Sequence, residues 1–363
     1  MKKIFRIGFA SLLLFIPIFF MHSSPARAGE KIRVLVAGGL DTVKLSNTRW
    51  NGRVEIKRSK TGVVSVNGRV KRLPLKFYAG NSFLYFNNRP FRGSISIHKD
   101  GAGLMAVNEL GLEDYVTGII NYEVSSKWPL EVLKAQAVAA RTYALYMKQK
   151  NKGGVYDIEG TVMGQVYRGA AAEDEAAERA VMGSRGEVLT FKGEIALTVY
   201  HSNAGGATDS AKDIWGRDYP YLRSVISPYD MDAPWFLWDF ALPASLLKRV
   251  LNGFGVGVGV PVAMSVEGAT PEGRVKRLKI VDRRGSVFFM SGEDLRKAIG
   301  YGVLKSARFR VDKRGDVFIF KGRGSGHGVG LSQWGARGMA ENGYSYREIL
   351  DYYYPGTVLE RRY

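Results

Sequence analysis

Apolar residues recur with a period near two from Lys31 to about Val107. The runs Ile32–Val36, Thr61–Val66, Phe83–Phe86 and Ser94–Ile97 are β-branched or aromatic, and Gly, Asn and Asp separate them. The pattern then changes. From Leu130 to Lys150, after Trp128-Pro129, five alanines and apolar residues on nearly every face predict a buried central helix rather than an amphipathic surface one. A second helix is expected at about Ala170 to Met182, with Glu173, Asp174 and Glu175 in its first turn. Val188–Phe191 and Ile195–Tyr200 read as a hairpin around Lys192-Gly193-Glu194.

Strand signals return at Lys276–Val281, Val287–Met290 and Val317–Phe320, interrupted by a short helix that Ser291 and Asp294 would cap. A Gly-rich loop at Gly322–Gly330 precedes a helix from about Leu331 to Glu341. A last helix starts at Ser345, where Ser345 and Glu348 have capping-box spacing. The expected class is α+β: a β-rich N-terminal region at 29–107, then a mixed α/β core at 108–363 built around the Ala-rich helix, with a β-rich subregion at about 255–320. The Gly-Val alternation at Gly253–Val260 reads as a flexible connection or an irregular strand.

Residues 1–28 have the form of a secretory signal peptide. Lys2, Lys3 and Arg6 precede an apolar run from Ile7 to Met21, and Ala26-Arg27-Ala28 supplies a small-x-small cleavage site. A retained anchor is the weaker alternative, because the run is short for a span of about 20 residues. Export to the periplasm or cell envelope is therefore expected. Removing this segment takes four basic residues and no acidic ones, so the formal charge drops from +19 to +15. An exported basic surface favours anionic envelope polymers and leaves little occasion to meet nucleic acid. Membrane contact would come only through an uncleaved leader. The chain has no Cys, which removes disulfides, thiol nucleophiles and Cys-ligated metal.

The alternating glycines at 322–330 lack the Gly-Lys-Ser/Thr of a Walker loop and the third Gly of the dinucleotide fingerprint. Close backbone packing, or approach to a non-nucleotide ligand, is the better reading. His98, His201 and His327 show no metal-binding spacing, and no metal or cofactor is assigned. Glu123 stands between Tyr122 and Val124 just ahead of Trp128-Pro129. Aromatic and apolar neighbours would desolvate its carboxyl and raise its pKa, as a general acid needs. An exposed turn carboxylate is the competing reading.

Four ordered blocks add a resemblance. They are Glu123 to Tyr143, Gln165-Val-Tyr-Arg-Gly169, Tyr200-His-Ser-Asn-Ala-Gly-Gly206 continuing through Asp213–Gly216 and Pro220–Ser224, and Gly322 to Ala336 with Tyr353–Gly356. Together they resemble the stage II sporulation protein D family, whose shared domain also occurs in amidase enhancers. The resemblance implies a peptidoglycan lytic transglycosylase that cleaves between N-acetylmuramic acid and N-acetylglucosamine and leaves a 1,6-anhydro end. Glu123 matches the family's catalytic Glu. The enhancer members imply an alternative, a glycan-binding protein that positions a separate cell-wall amidase. The matched positions also nominate Arg141 to orient Glu123 or bind a sugar carboxylate, and Tyr143 to pack. Gln165 and Tyr167 would line a sugar subsite, and His201, Ser202, Gly205, Gly206, His327 and Gln333 would shape the cleft. Some relatives bind zinc through cysteines near the segment matching His201–Ser210, which this Cys-free chain cannot do. Ser325 stands where relatives often carry an aromatic.

Overall fold

A computed structural model describes residues 29–47, 52–59, 63–101, 103–161 and 164–363; the predicted leader lies outside them. The class is α+β, with the strands concentrated N-terminally and in a second β-rich region towards the C-terminus.

The N-terminal strands form two sheets. Lys31–Leu40 pairs antiparallel with Gly103–Gly111, which pairs with Ser94–Asp100, which pairs with Leu75–Tyr78. The short strand Ile158–Glu159 joins this sheet in parallel beside Lys31–Leu40. A six-stranded sheet holds the remaining strands between Thr42 and Phe91. The first sheet therefore borrows a strand from beyond the central helix, and one buried cluster runs from Ile32 and Leu45 to Ala140 and Val181. The β-rich region and the helices after it share a core.

Gly103–Gly111 leads directly into α1, Leu112–Glu123, a helix the sequence reading did not anticipate. Leu112, Tyr115, Val116, Ile119 and Ile120 are all buried and fall at i, i+3, i+4, i+7 and i+8. Glu123 follows at three and four residues beyond the last two. Its side chain consequently extends the apolar stripe, and it sits at the end of a helix instead of in an exposed turn.

α2, Leu130–Lys150, has the expected bounds. One side, with Leu133, Ala137, Ala140 and Ala144, packs into the first core, and the other, with Val132, Ala135, Val138 and Ala139, packs into a second. Small side chains on every face let two layers approach one helix axis. α3 is Glu175–Gly183, shorter than expected at its N-terminus. Ala170–Ala172 form a separate 3₁₀ turn, and the Asp174 carboxylate caps the helix by accepting from the Ala177 N–H. The hairpin is also shorter than expected: Glu187–Phe191 pairs with Glu194–Ile195 only, and with Val358–Arg361 on its other edge. Tyr200–His201 instead lies parallel to Leu331–Ser332.

α4 is Ala211–Trp215. A third core, around Leu247, Leu278, Leu295, Phe318 and Phe320, belongs to two three-stranded sheets with α5, Ala244–Gly253, and α6, Gly292–Ile299. It begins at the strand Leu237–Pro243, earlier in the chain than the strand signal indicated. Gly253–Val260 is the connection from α5 to the strand Pro261–Ala269. The Gly-rich loop returns the chain to α7, Gln333–Glu341, and α8, Tyr346–Tyr353, the latter with the anticipated Ser345–Glu348 capping box. Leu331 and Ser332, expected in α7, form the short strand beside Tyr200–His201.

The loop glycines serve close packing. A Cβ on Gly328 would lie 2.0 Å from Arg274 Nη2, and one on Gly330 2.2 Å from the Val199 carbonyl. Both also adopt positive φ.

Candidate active site

A cleft of about 400 Å³ opens where the end of α1 meets the start of α7. Asn121, Tyr122, Glu123, Val124, Ser125, Ser126 and Trp128 line one side; Ser202, Gln333 and Trp334 line the other. Glu123 is half-buried there.

Burial pushes the Glu123 carboxyl above the ordinary carboxylate range, and three donors oppose that shift only in part. The Val166 N–H donates to Oε1 at 3.2 Å, and the Gln333 carboxamide and Tyr200 hydroxyl also hydrogen-bond to the carboxyl. A chain of polar groups stands behind Tyr200. The Tyr115 hydroxyl donates to Gln165 Oε1 at 2.9 Å, and Gln165 Nε2 donates to the Tyr200 oxygen at 3.0 Å and to the Ala140 carbonyl at 3.2 Å. Because Tyr200 accepts from Gln165, its own proton is free to point at Glu123. Gln165 therefore acts through Tyr200 and does not line the cleft.

α7 brings Gln333 to the cleft by a buried device. Ser332 caps the helix, and Asp230 Oδ2 accepts from the Ser332 hydroxyl at 3.0 Å and the Ala204 N–H at 2.9 Å. This locks the start of α7 against the turn that follows Ser202. Burial raises the Asp230 pKa, while those donors and the helix N-terminus favour its charge.

Of the residues nominated from sequence, Glu123, Ser202 and Gln333 meet at the cleft. Arg141 does not. Its guanidinium is fully buried, 2.6 Å from Glu113 Oε2, and it also donates to the Glu187 and Val181 carbonyls. Tyr143 is half-buried against the first core. Tyr167 is buried too: its hydroxyl donates to Asn108 Oδ1 at 2.8 Å and its ring packs on Tyr115 and Phe91, so no sugar can reach it. Gly205 approaches the Gly-rich loop, where a Cβ would meet Gly324 N at 2.7 Å; Gly206 faces Phe236.

His201 and His327 lie behind the cleft, ring centroids 5.4 Å apart. The Val329 N–H donates to His327 Nδ1 at 3.2 Å, which leaves Nε2–H to donate to the Tyr200 carbonyl at 2.9 Å. His201 Nδ1 donates to the Val329 carbonyl at 3.1 Å. These bonds steady the strand that carries Tyr200. Among the described residues no three His, Asp or Glu side chains cluster as a metal site.

Both imidazoles are pushed down, chiefly by burial, His327 to about 4. A ring that stays neutral in the folded state, but takes a proton at about 6.5 when unfolded, weakens folding as pH falls between those values. The His327 share, read as the difference in urea unfolding between the wild type and a His327→Gln variant so that the opposing carboxyls cancel, should be constant above pH 6.5 and fall by about 2 kcal/mol towards pH 4, allowing for the partial exposure of His327. A difference that stays flat across that window would contradict the burial of this ring.

Tyr200, Trp128 and Trp334 were quoted in the sequence blocks but not nominated. A signal was available for Tyr200: alternate residues of an extended segment share a face, so Tyr200 points the same way as Ser202 and His201 the other way. Replacing Tyr200 with Phe removes a donor that lowers the Glu123 pKa. The alkaline limb of any Glu123-dependent rate should therefore move to higher pH, with turnover about tenfold lower. An unmoved limb would mean that the hydroxyl does not act on Glu123.

Residues 100–191 match the family model described as stage II sporulation protein, and residues 216–330 match one described as a domain of unknown function. Over 70% of this chain and 76% of the other, the sequence is 32% identical to stage II sporulation protein D of Bacillus subtilis. It is 36% identical to an uncharacterised protein of Brachyspira hyodysenteriae over 75% of this chain and 72% of that one. An amidase enhancer of Bacillus subtilis is 30% identical over 67% of this chain and 40% of its own length.

Proposed function

Because the chain belongs to the stage II sporulation protein D family, we propose that its Glu123 cleft cuts peptidoglycan glycan strands as a lytic transglycosylase outside the cytoplasm. The observation that carries this reading is the composition of the cleft: Glu123 is the one carboxyl among its lining residues, and burial raises its pKa.

A glycoside hydrolase needs a second carboxylate to attack the sugar or to activate water. Intramolecular closure needs only one. Protonated Glu123 gives its proton to the glycosidic oxygen as the bond from the muramic C1 breaks. The resulting carboxylate then takes the proton of the muramic 6-hydroxyl while that oxygen bonds to C1, giving the 1,6-anhydro ring and returning Glu123 to its acid form. Val166 N–H, Tyr200 and Gln333 favour the carboxylate stage, and burial favours the acid stage, so neither form is too stable to react.

Incubating the protein with purified glycan strands, with and without stem peptides, and analysing the released ends by mass spectrometry tests the reading. Anhydro-muramic ends are expected. Reducing ends alone, or no cleavage of either substrate, would overturn it. The matched amidase enhancer favours a second reading, in which the same cleft holds glycan for a cell-wall amidase; binding without cleavage would select it.

A further inference from the structure

A tryptophan is spent at a position where a glycine would cost less. The Phe236 N–H donates to the Ala233 carbonyl at 3.0 Å, closing a β-turn with Pro234 at its second position and Trp235 at its third. Trp235 has φ +66, the left-handed value that such a Pro-led turn demands and that Gly or Asn supplies without strain. Half of the ring remains in solvent, so burial offsets that strain only in part. Ile226, Met231 and Leu237 stand exposed in the same stretch of chain. Strain kept at a half-exposed aromatic residue points to a task.

The turn is fastened to two segments near the Glu123 cleft. Asn203, the residue after the cleft-lining Ser202, donates from Nδ2 to the Pro234 carbonyl at 3.5 Å. Gly324 N–H donates to the Phe236 carbonyl at 3.1 Å. The Lys305 ammonium lies over one face of the Trp235 ring, 4.0 Å from its centroid, a cation–π contact. An aromatic ring with a neighbouring cation suits a saccharide, whose C–H face stacks on the ring, and suits an anionic strand above all.

We propose that Trp235 is a distal saccharide-binding subsite that holds glycan extending beyond the Glu123 cleft, with Lys305 favouring its negative charge. This rests on the glycan reading of the cleft, but not on cleavage. The occupant is the strand itself, because the turn is tied to Asn203, next in the chain to the cleft-lining Ser202, and the chain without its leader carries a net charge of +15 against an anionic polymer.

Trp235→Gly tests it, since glycine relieves the backbone strain while deleting the ring. In a Glu123→Gln background, affinity for long peptide-free glycan strands should fall about fivefold, while affinity for an N-acetylhexosamine tetrasaccharide stays unchanged. The thermal midpoint should hold or rise, and Trp235→Tyr should regain most of the long-strand affinity. Unchanged long-strand affinity, equal loss on both ligands, or a lowered thermal midpoint would each overturn the proposal. So would retained strand affinity with lost binding to phosphatidylglycerol vesicles, which would assign the ring to a lipid surface. If the Glu123→Gln protein binds strands but the wild type never cuts them, only the cleavage reading falls. If it binds no strand of any length, the Trp235 proposal falls as well.

Discussion

A Glu123→Gln protein is expected to bind glycan strands, to release anhydro-muramic ends about a thousandfold more slowly than the wild type, and to be the more stable of the two at neutral pH. The rate loss follows because an amide has the shape of the acid but no proton to give the leaving oxygen. The amide oxygen can still accept from the Val166 N–H, and its NH₂ can turn towards Tyr200, so the cleft keeps its form.

The stability gain follows from the direction of the pKa shift. Burial raises the folded pKa above the ordinary 4.5, so the folded protein resists losing a proton that the unfolded chain gives up readily. Wild-type stability therefore falls as pH climbs from 4.5 through the raised value, and the penalty is complete above it. Gln does not titrate. Thermal unfolding of the two proteins should diverge with rising pH in the variant's favour, and should converge below pH 4.5. A variant that cuts at the wild-type rate would remove Glu123 from the chemistry. One that loses activity but melts below the wild type at pH 8 would show that the carboxylate stabilises the fold, contrary to its burial.

The sequence was most legible where one signal acted alone. α2 begins and ends where its Ala-rich run does, and α8 starts at its capping box, because those signals are local. α1 was equally legible from Leu112, Tyr115, Val116, Ile119 and Ile120, whose spacing has the period of a helix and whose stripe runs on to Glu123. Other features had no local signature. Tyr200–His201 is held by Leu331–Ser332, well over a hundred residues away, and nothing in Ile195–Tyr200 tells a hairpin arm from that parallel bridge. The cleft was half visible for the same reason: Glu123, Ser202 and Gln333 were nominated from their motifs. Whether Arg141 or Tyr167 faced the cleft or the core depended on packing between segments that sequence spacing does not order.

Arg141 carries the largest stability prediction. It crosses from α2 to Glu113 on α1, while its other donors reach the end of α3 and the strand Glu187–Phe191. Glu113 in turn accepts from the Gly186 N–H at 3.0 Å and the Tyr363 hydroxyl at 2.9 Å, which joins the last residue to the first helix of the core. Arg141→Ala should cost about 3–5 kcal/mol in urea unfolding, because it strands a largely buried carboxylate and two carbonyls as well as removing packing. Glu113→Gln in the same chain should restore part of that loss, since the stranded charge is gone; the double variant would then be more stable than the sum of the singles. The motif match would instead have Arg141 orient Glu123 or hold a sugar carboxylate, and that role makes the opposite forecast: slow turnover in a protein of normal stability. Measuring strand cleavage at low temperature, where Arg141→Ala remains folded, separates them. Turnover per folded molecule is expected to stay within about threefold of the wild type, because α1 keeps its apolar stripe and Glu123 keeps its three donors. Normal unfolding with a hundredfold loss of turnover would return Arg141 to the chemistry and would require its guanidinium to leave Glu113 when glycan binds.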